Sequence, residues 1–158
     1  MTFRTGRLSV VVFAVVLLTA CAGGTSPRAS SSVGHARIGL AVSKECVAGS
    51  STECVSVRGE GVLTPSNYEN AGVQDATVIE DGGQSTVHVT FTDDGATVLN
   101  TLTKQAVQAG SGARLILEVG GKIVGTPAVM EPIEDREVSI IVAREDNAQT
   151  LVDSILGR

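Results

Sequence analysis

The stretch VHVTFTDDGATVLNTLTKQAVQAGSGARLILEVGGKIVGTPAVMEPI, residues 87–133, decides the fold. It opens with apolar and polar side chains in alternation, which predicts a strand with one buried face. Thr92 or Asp93 can then cap a helix, because a short side-chain oxygen accepts from a free N–H of the first turn. Apolar positions next recur every three or four residues and predict a helix that ends near Gly110 or Gly112. Its stripe consists of Ala96, Leu99, Leu102, Thr103 and Ala106.

The second half of this stretch predicts a hairpin followed by a rigid loop. Alternation resumes at residues 115–119, and Gly120-Gly121 separates this run from Lys122-Ile123-Val124. Two glycines between two such runs suit a tight hairpin turn, which needs positive φ at both positions. Thr126-Pro127 and Glu131-Pro132 then bracket a short apolar run. Because each proline removes a donor and restricts φ, we expect an irregular crossing here.

The flanking segments predict further strands and one more helix. Residues 38–42 alternate, residues 54–57 and 61–63 read as one strand interrupted by glycine, and residues 80–84 form a turn. Residues 138–142 predict a strand that Ile141 makes apolar on both faces, as in a central strand. Glu145 and Asp146 are expected to start a helix through residue 156. We therefore expect an α+β fold, a mostly antiparallel sheet with two helices packed on one face.

The first 20 residues have the layout of a bacterial lipoprotein signal peptide. Arg4 and Arg7 precede an apolar run, and Leu18-Thr19-Ala20-Cys21 resembles a lipobox, in which the cysteine is lipidated. The alternative is an uncleaved membrane anchor, for which the run is shorter than the roughly 20 residues that span a bilayer. We expect Cys21 to hold the protein at the extracytoplasmic face of the cell membrane, or at an outer membrane where one exists.

Residues 21–35 comprise the lipidated cysteine and a small, polar, flexible tether, and residues 36–158 form the folded domain. Loss of residues 1–20 removes two arginines, so the net charge changes from −5 to −7. This balance gives no reason to expect nucleic-acid binding.

Cys46 and Cys54 are the two cysteines left after lipidation. Because an exported chain meets oxidising conditions, they predict a structural disulfide. A redox pair or half of a metal site is the alternative, although no CxxC motif is present.

Little else indicates chemistry. His88 lies on the polar side of its strand, His35 lies in the tether, and no catalytic or nucleotide-binding fingerprint appears. The run Thr92-Asp93-Asp94-Gly95 predicts a helix cap. The alternative is a cation loop, but the spaced acidic ligands and the distal glutamate of a calcium loop are missing. Tyr68 is either exposed for recognition or packed with its hydroxyl bonded to backbone. An acidic cluster reads as a solvated turn, a docking surface or a weak cation site; it comprises Glu131, Glu134, Asp135 and Glu137.

The order of several short motifs resembles the head subdomain of the first large periplasmic domain of SecD and SecDF, auxiliary membrane proteins of the bacterial export channel. The shared motifs are Asp94-Gly95-Ala96, Leu102-Thr103, Leu115-Ile116-Leu117, Gly121-Lys122-Ile123, Thr126-Pro127 and Glu131-Pro132-Ile133. The chain departs from the family at Glu134-Asp135-Arg136, where glycines are usual, and it has no counterpart of the family's multiple membrane spans or base subdomain.

The first hypothesis is a non-catalytic interaction module of the cell envelope, without cofactor or metal. The resemblance implies export-channel components or exported polypeptides as partners. The candidate interaction loop comprises Thr126, Pro127, Met130, Glu131, Pro132, Glu134 and Asp135. The alternatives are a carrier of a small apolar ligand or lipid at the membrane surface and a thiol enzyme that uses Cys46 and Cys54.

Overall fold

The computed structural model describes residues 36–144 and 146–158. The predicted signal peptide, Cys21, the tether with His35, and Glu145 lie outside the described residues, and what was predicted for them stays a prediction. Among the described helices, none is long and apolar enough to cross a membrane.

Ten elements make up the described part of the chain, eight strands and two helices. In chain order they are β1 (Arg37–Lys44), β2 (Cys54–Val57), β3 (Glu60–Leu63), β4 (Glu69–Asp81), β5 (Gln84–Phe91), α1 (Asp93–Ala109), β6 (Ala113–Val119), β7 (Lys122–Gly125), β8 (Glu137–Ile141) and α2 (Ala148–Leu156). Six strands form one antiparallel sheet in the order β7-β6-β1-β4-β5-β8, and β2 and β3 pair separately.

Both helices pack on the same face of the six-stranded sheet, which confirms the predicted α+β fold. Phe91, Leu99 and Ile155 are almost fully buried and belong to one apolar cluster with inward residues of the strands. The cluster is rich in Val, Ile and Leu, whose branched side chains suit a pleated surface. The apolar side chains that alternate with polar ones in residues 87–91 and 115–119 therefore face the helices, as the predicted burial of one strand face requires.

The β2–β3 hairpin covers half of the opposite face. Ala41, Val62 and Ile116 form a second, smaller cluster there, because side chains next to each other in a strand point to opposite faces. The other half of this face, on β4, β5 and β8, is open: Ile79 is 49% and Ile141 57% exposed.

Three local predictions are wrong. Strand β8 pairs with β5 alone and lies at an edge of the sheet, so Ile141 does not mark a central strand. Residues 54–57 and 61–63 form a hairpin, not one strand, because the chain reverses at Arg58 and Gly59, where φ is 51° and 86°. Helix α2 begins after Asn147, whose side chain accepts from Thr150 N–H at 3.0 Å, and not at Asp146.

The start of α1 rests directly on the backbone of β4. Thr92 N–H donates to the carbonyl of Gly72 at 3.0 Å, and Gly95 N–H donates to the Thr92 hydroxyl at 3.1 Å. A methyl group at Gly95 would overlap the Gly72 carbonyl oxygen. Gly95, a poor helix former, is therefore required by close packing between helix and strand.

We expect Gly95→Ala to lower the free energy of unfolding by about 2–3 kcal/mol, because the added carbon meets backbone that cannot rotate away. Urea denaturation measures this change. Gly112→Ala is the matched control, since a Cβ at Gly112 meets nothing within 4 Å. Equal stability of the two variants would contradict the close contact between α1 and β4.

Candidate functional site

The candidate interaction loop, residues 126–135, is attached to the sheet at its first residues. Leu115 N–H donates to the Pro127 carbonyl at 3.0 Å, and Ala128 forms an isolated bridge with Arg114. Thr126 is buried, and its hydroxyl donates to the Glu60 carboxylate at 3.2 Å. The hydroxyl of Thr126 therefore helps to hold the loop, and little of this side chain is exposed.

The far end of the loop is attached to α1. Asn100 Nδ2 donates to the Ile133 carbonyl at 2.9 Å, and Ile133 N–H donates to the Thr103 hydroxyl at 3.0 Å. Thr103 is fully buried and donates in turn to the Leu99 carbonyl at 2.8 Å. Thr103, the polar member of the predicted apolar stripe, thus accepts a hydrogen bond from the backbone N–H of Ile133. The sequence pattern did not reveal this role.

Between these attachments the loop presents an apolar side chain to solvent. Met130 is 88% exposed. Glu131 and Pro127 are also exposed, whereas Pro132 is half-buried. Met130 is thus an exposed, flexible apolar side chain on a loop whose two ends are bonded to the rest of the domain.

The acidic cluster is divided by Arg136. Its guanidinium donates to the Phe91 carbonyl at 3.1 and 3.2 Å and forms an ion pair with Asp93 at 2.9 Å, so it braces α1 against the start of β8. Glu137 points instead to His88. Glu134 and Asp135 are exposed. Within residues 36–144 and 146–158, no group of three or more His, Cys, Asp or Glu side chains is placed to hold a metal ion.

His88 lies in a polar row across the open face. Its Nε2 is 3.3 Å from Glu137 Oε2, and its Nδ1 is 3.4 Å from Ser139 Oγ. The row follows from the register, in which His88 lies opposite Ser139. No sequence pattern reveals this pairing, because it depends on which strand adds to β5.

The run Thr92–Gly95 caps α1, as predicted. Thr92 is the N-cap, and Asp93 and Asp94 occupy the first turn, where the positive end of the helix dipole favours them. The capping hydroxyl is engaged by Gly95 N–H, which supports the cap over the cation loop.

Tyr68 packs its half-buried ring against the second cluster. Burial raises the pKa of Tyr68 above the ordinary value of 10.0, and the negative charge of Glu118 raises it further. The predicted bond from its hydroxyl to backbone is not present within the described part of the chain.

Cys46 and Cys54 are joined in a disulfide, with Cα atoms 6.0 Å apart. Cys46 N–H donates to the Gly61 carbonyl at 3.0 Å, so the closed loop continues the pairing of β3. The two sulfurs are bonded to each other, so the predicted Cys46–Cys54 disulfide is present.

The two edges of the curled sheet border a pair of open grooves. The large groove, about 820 Å³, has residues 121–124 of the β7 side and residues 142–143 of the β8 side in its walls, together with α2. The small groove, about 300 Å³, has residues 125–127 and residues 139–141 in its walls. Lys122 Nζ reaches Asp146 Oδ1 at 3.1 Å and so links β7 to the segment before α2. Arg58 lines both grooves.

No protein-family model matches the chain, and no curated protein matches its sequence. Two solved structures share its fold. One is of SecDF, a membrane component that enhances protein export: the TM-score is 0.50 at 16% identity, over 78% of this chain and 61% of that one. The other is SecDF in its Super-membrane-facing form, with the same TM-score and identity, over 78% of this chain and 19% of that one.

The chain spans less than two thirds of either SecDF chain. At 16% sequence identity, the comparison with SecDF shows a shared fold alone. The resemblance predicted from the short motifs is therefore confirmed as a similarity to the SecDF periplasmic domain in fold.

We expect replacement of both Cys46 and Cys54 by serine to lower the free energy of unfolding by about 2–3 kcal/mol, because the unfolded chain regains the entropy of an open loop. Urea denaturation with and without reductant measures the difference. Reductant should destabilise the wild type by a similar amount and leave the double variant unchanged. A wild type insensitive to reductant would contradict a stabilising disulfide.

Proposed function

We propose that this chain is a non-catalytic, lipid-anchored interaction module of the cell envelope that takes part in protein export. Its partners are export-channel components or exported polypeptides. The observation that carries the proposal is Met130, 88% exposed on a loop fixed at both ends. The SecDF-like fold and the disulfide support an extracytoplasmic location.

The fixed ends of the loop matter for binding energy. Ordering a mobile loop costs affinity, and here the contacts of Pro127 and Ile133 order it before any partner arrives. The unbranched thioether of Met130 adapts to varied apolar surfaces, which suits a module that meets many polypeptides. Glu131, Glu134 and Asp135, which are close to Met130 in the sequence, are also exposed.

The carrier of a small apolar ligand gains no specific support. Large core side chains such as Phe91, Leu99 and Ile155 are nearly fully buried in one cluster. Both grooves in the described residues are open to solvent and mix apolar with polar side chains, so neither of them encloses an apolar ligand.

We expect Met130→Asp to reduce partner recovery at least about fivefold, because a charge at the contact point must be desolvated. The tagged lipoprotein is cross-linked briefly in cells, purified from membranes in mild detergent, and its export-channel and exported-protein partners are quantified by mass spectrometry. Val47→Asp is the matched control, since Val47 is also apolar and is 78% exposed on the disulfide-closed loop. Equal recovery from both variants would remove Met130 from the proposed surface.

We expect the wild type to incorporate labelled palmitate and Cys21→Ser to incorporate none, because the acyl chains are attached through this cysteine. Metabolic labelling followed by immunoprecipitation measures the incorporation. A wild type that carries no label would favour the uncleaved anchor.

A further inference from the structure

The outer side of β8 carries unpaired backbone groups. The Arg136 carbonyl accepts from β5 at 2.8 Å, and Val142 N–H donates to β5 at 2.9 Å. Because backbone groups alternate along an antiparallel strand, those of Glu137, Ser139 and Ile141 point away from β5. They have no hydrogen-bond partner within the residues that the structure describes. Such an edge is a template for another strand.

The small groove runs along this edge. Three consecutive residues of β8, residues 139–141, line it. Consecutive side chains of a strand point to opposite faces, so a groove that meets all three follows the edge of the strand and not one face. Ile140 and Leu117, both buried, contribute apolar surface, and residues 125–127 form the opposite wall. The shape and chemistry suit an extended chain.

Arg58 lies at this groove in a strained conformation. Its φ of 51° lies in the left-handed region, where Gly or Asn is usual in such a turn. The two-residue turn between β2 and β3 requires positive φ at Arg58 and Gly59, and this turn projects Arg58 from the end of the hairpin. Arg58 is exposed, lines both grooves, and forms no ion pair within the described residues. Glu60 lines the small groove as well, but its carboxylate accepts from the Thr126 hydroxyl at 3.2 Å. Arg58 is the cation that the lining of this groove offers to an incoming carboxylate.

We propose that an extended polypeptide segment adds to β8 as a further strand, lies in the small groove, and pairs an acidic side chain with Arg58. Main-chain hydrogen bonds to Glu137, Ser139 and Ile141 hold the segment, and alternate apolar side chains face Ile140 and Leu117. This inference rests on the proposed function and assigns a second contact site, separate from Met130.

The probe is a fluorescein-labelled peptide of about eight residues, alternating valine and threonine with one central glutamate, which matches the short β8 edge. Its binding to the detergent-solubilised lipoprotein is measured by fluorescence anisotropy. Two isomers carry N-methyl groups on alternate residues, so each lacks donors along one edge only. We expect one isomer to bind like the parent peptide and the other at least about tenfold more weakly, since several hydrogen bonds are lost.

Ser139→Pro removes an outward donor while leaving the bonds to β5 intact, as an edge strand permits. We expect it to weaken binding about tenfold, whereas Ser139→Thr, which keeps the donor and the hydroxyl, binds normally. Arg58→Gln should weaken the glutamate peptide about fivefold and leave a peptide with glutamine at that position unchanged. Thermal unfolding checks that each variant is folded.

Equal binding of the two N-methyl isomers would overturn strand addition, even if Ser139→Pro fails to fold. Anisotropy that changes only with self-association of the protein would assign the edge to a second copy and also overturn the inference. If Met130→Asp reduces partner recovery but the peptide does not bind, strand addition at β8 is wrong and the Met130 contact site is retained. If the peptide binds at β8 while Met130→Asp recovers partners normally, the Met130 contact site is wrong and strand addition is retained.

Discussion

The contact between the backbones of Gly72 in β4 and Gly95 in α1 sets the position of the candidate site. It brings the first turn of α1 onto the middle of the sheet at a separation that only glycine permits at Gly95. The Gly72–Gly95 contact fixes the rotation of α1 and its distance from the sheet, and so directs Asn100 and Thr103 to the backbone of Ile133. A methyl group added at Gly95 would shift α1 relative to β4, and with it the two side chains that bond to Ile133. The orientation of the interaction loop thus depends on a contact far from its apex.

The same anchoring explains how a domain with few aromatic residues holds a rigid loop. The aliphatic core supplies non-directional stabilisation, which sets compactness but not the direction of a loop. Direction comes from hydrogen bonds made by buried or half-buried polar groups, such as Thr103 below the loop and Arg136 beside it. Because an unpaired buried donor costs about 1–3 kcal/mol, these contacts select one loop conformation. Met130 therefore faces solvent from a loop that is bonded to the domain at both ends.

The curl of the sheet gives the domain its second surface. A flat sheet would place β7 and β8 far apart, whereas here both edges line the same grooves. The β2–β3 hairpin covers the half of the outer face that lies near β7, and its turn places Arg58 in the wall of the small groove. The edge of β8 stays open because the chain supplies no further strand within its described residues. The loop and the small groove therefore belong to the same domain, but hydrogen bonds from polar side chains position the loop, whereas the curl of the sheet forms the groove.

Local patterns accounted for the strands around residues 87–91 and 115–119, for both helices, for the cap at Thr92 and for the α+β class, because each follows from periodicity or turn chemistry over a few residues. The cysteine count likewise predicted the disulfide. Other features depended on contacts between distant segments. Ile141 was predicted to lie in a central strand, whereas the pairing order places β8 at an edge of the sheet. The bond from Thr126 to Glu60 joins residues 66 positions apart, and no local pattern predicts it. The small groove exists only because the sheet curls, and curl arises from packing and strand order, which no short stretch of residues encodes.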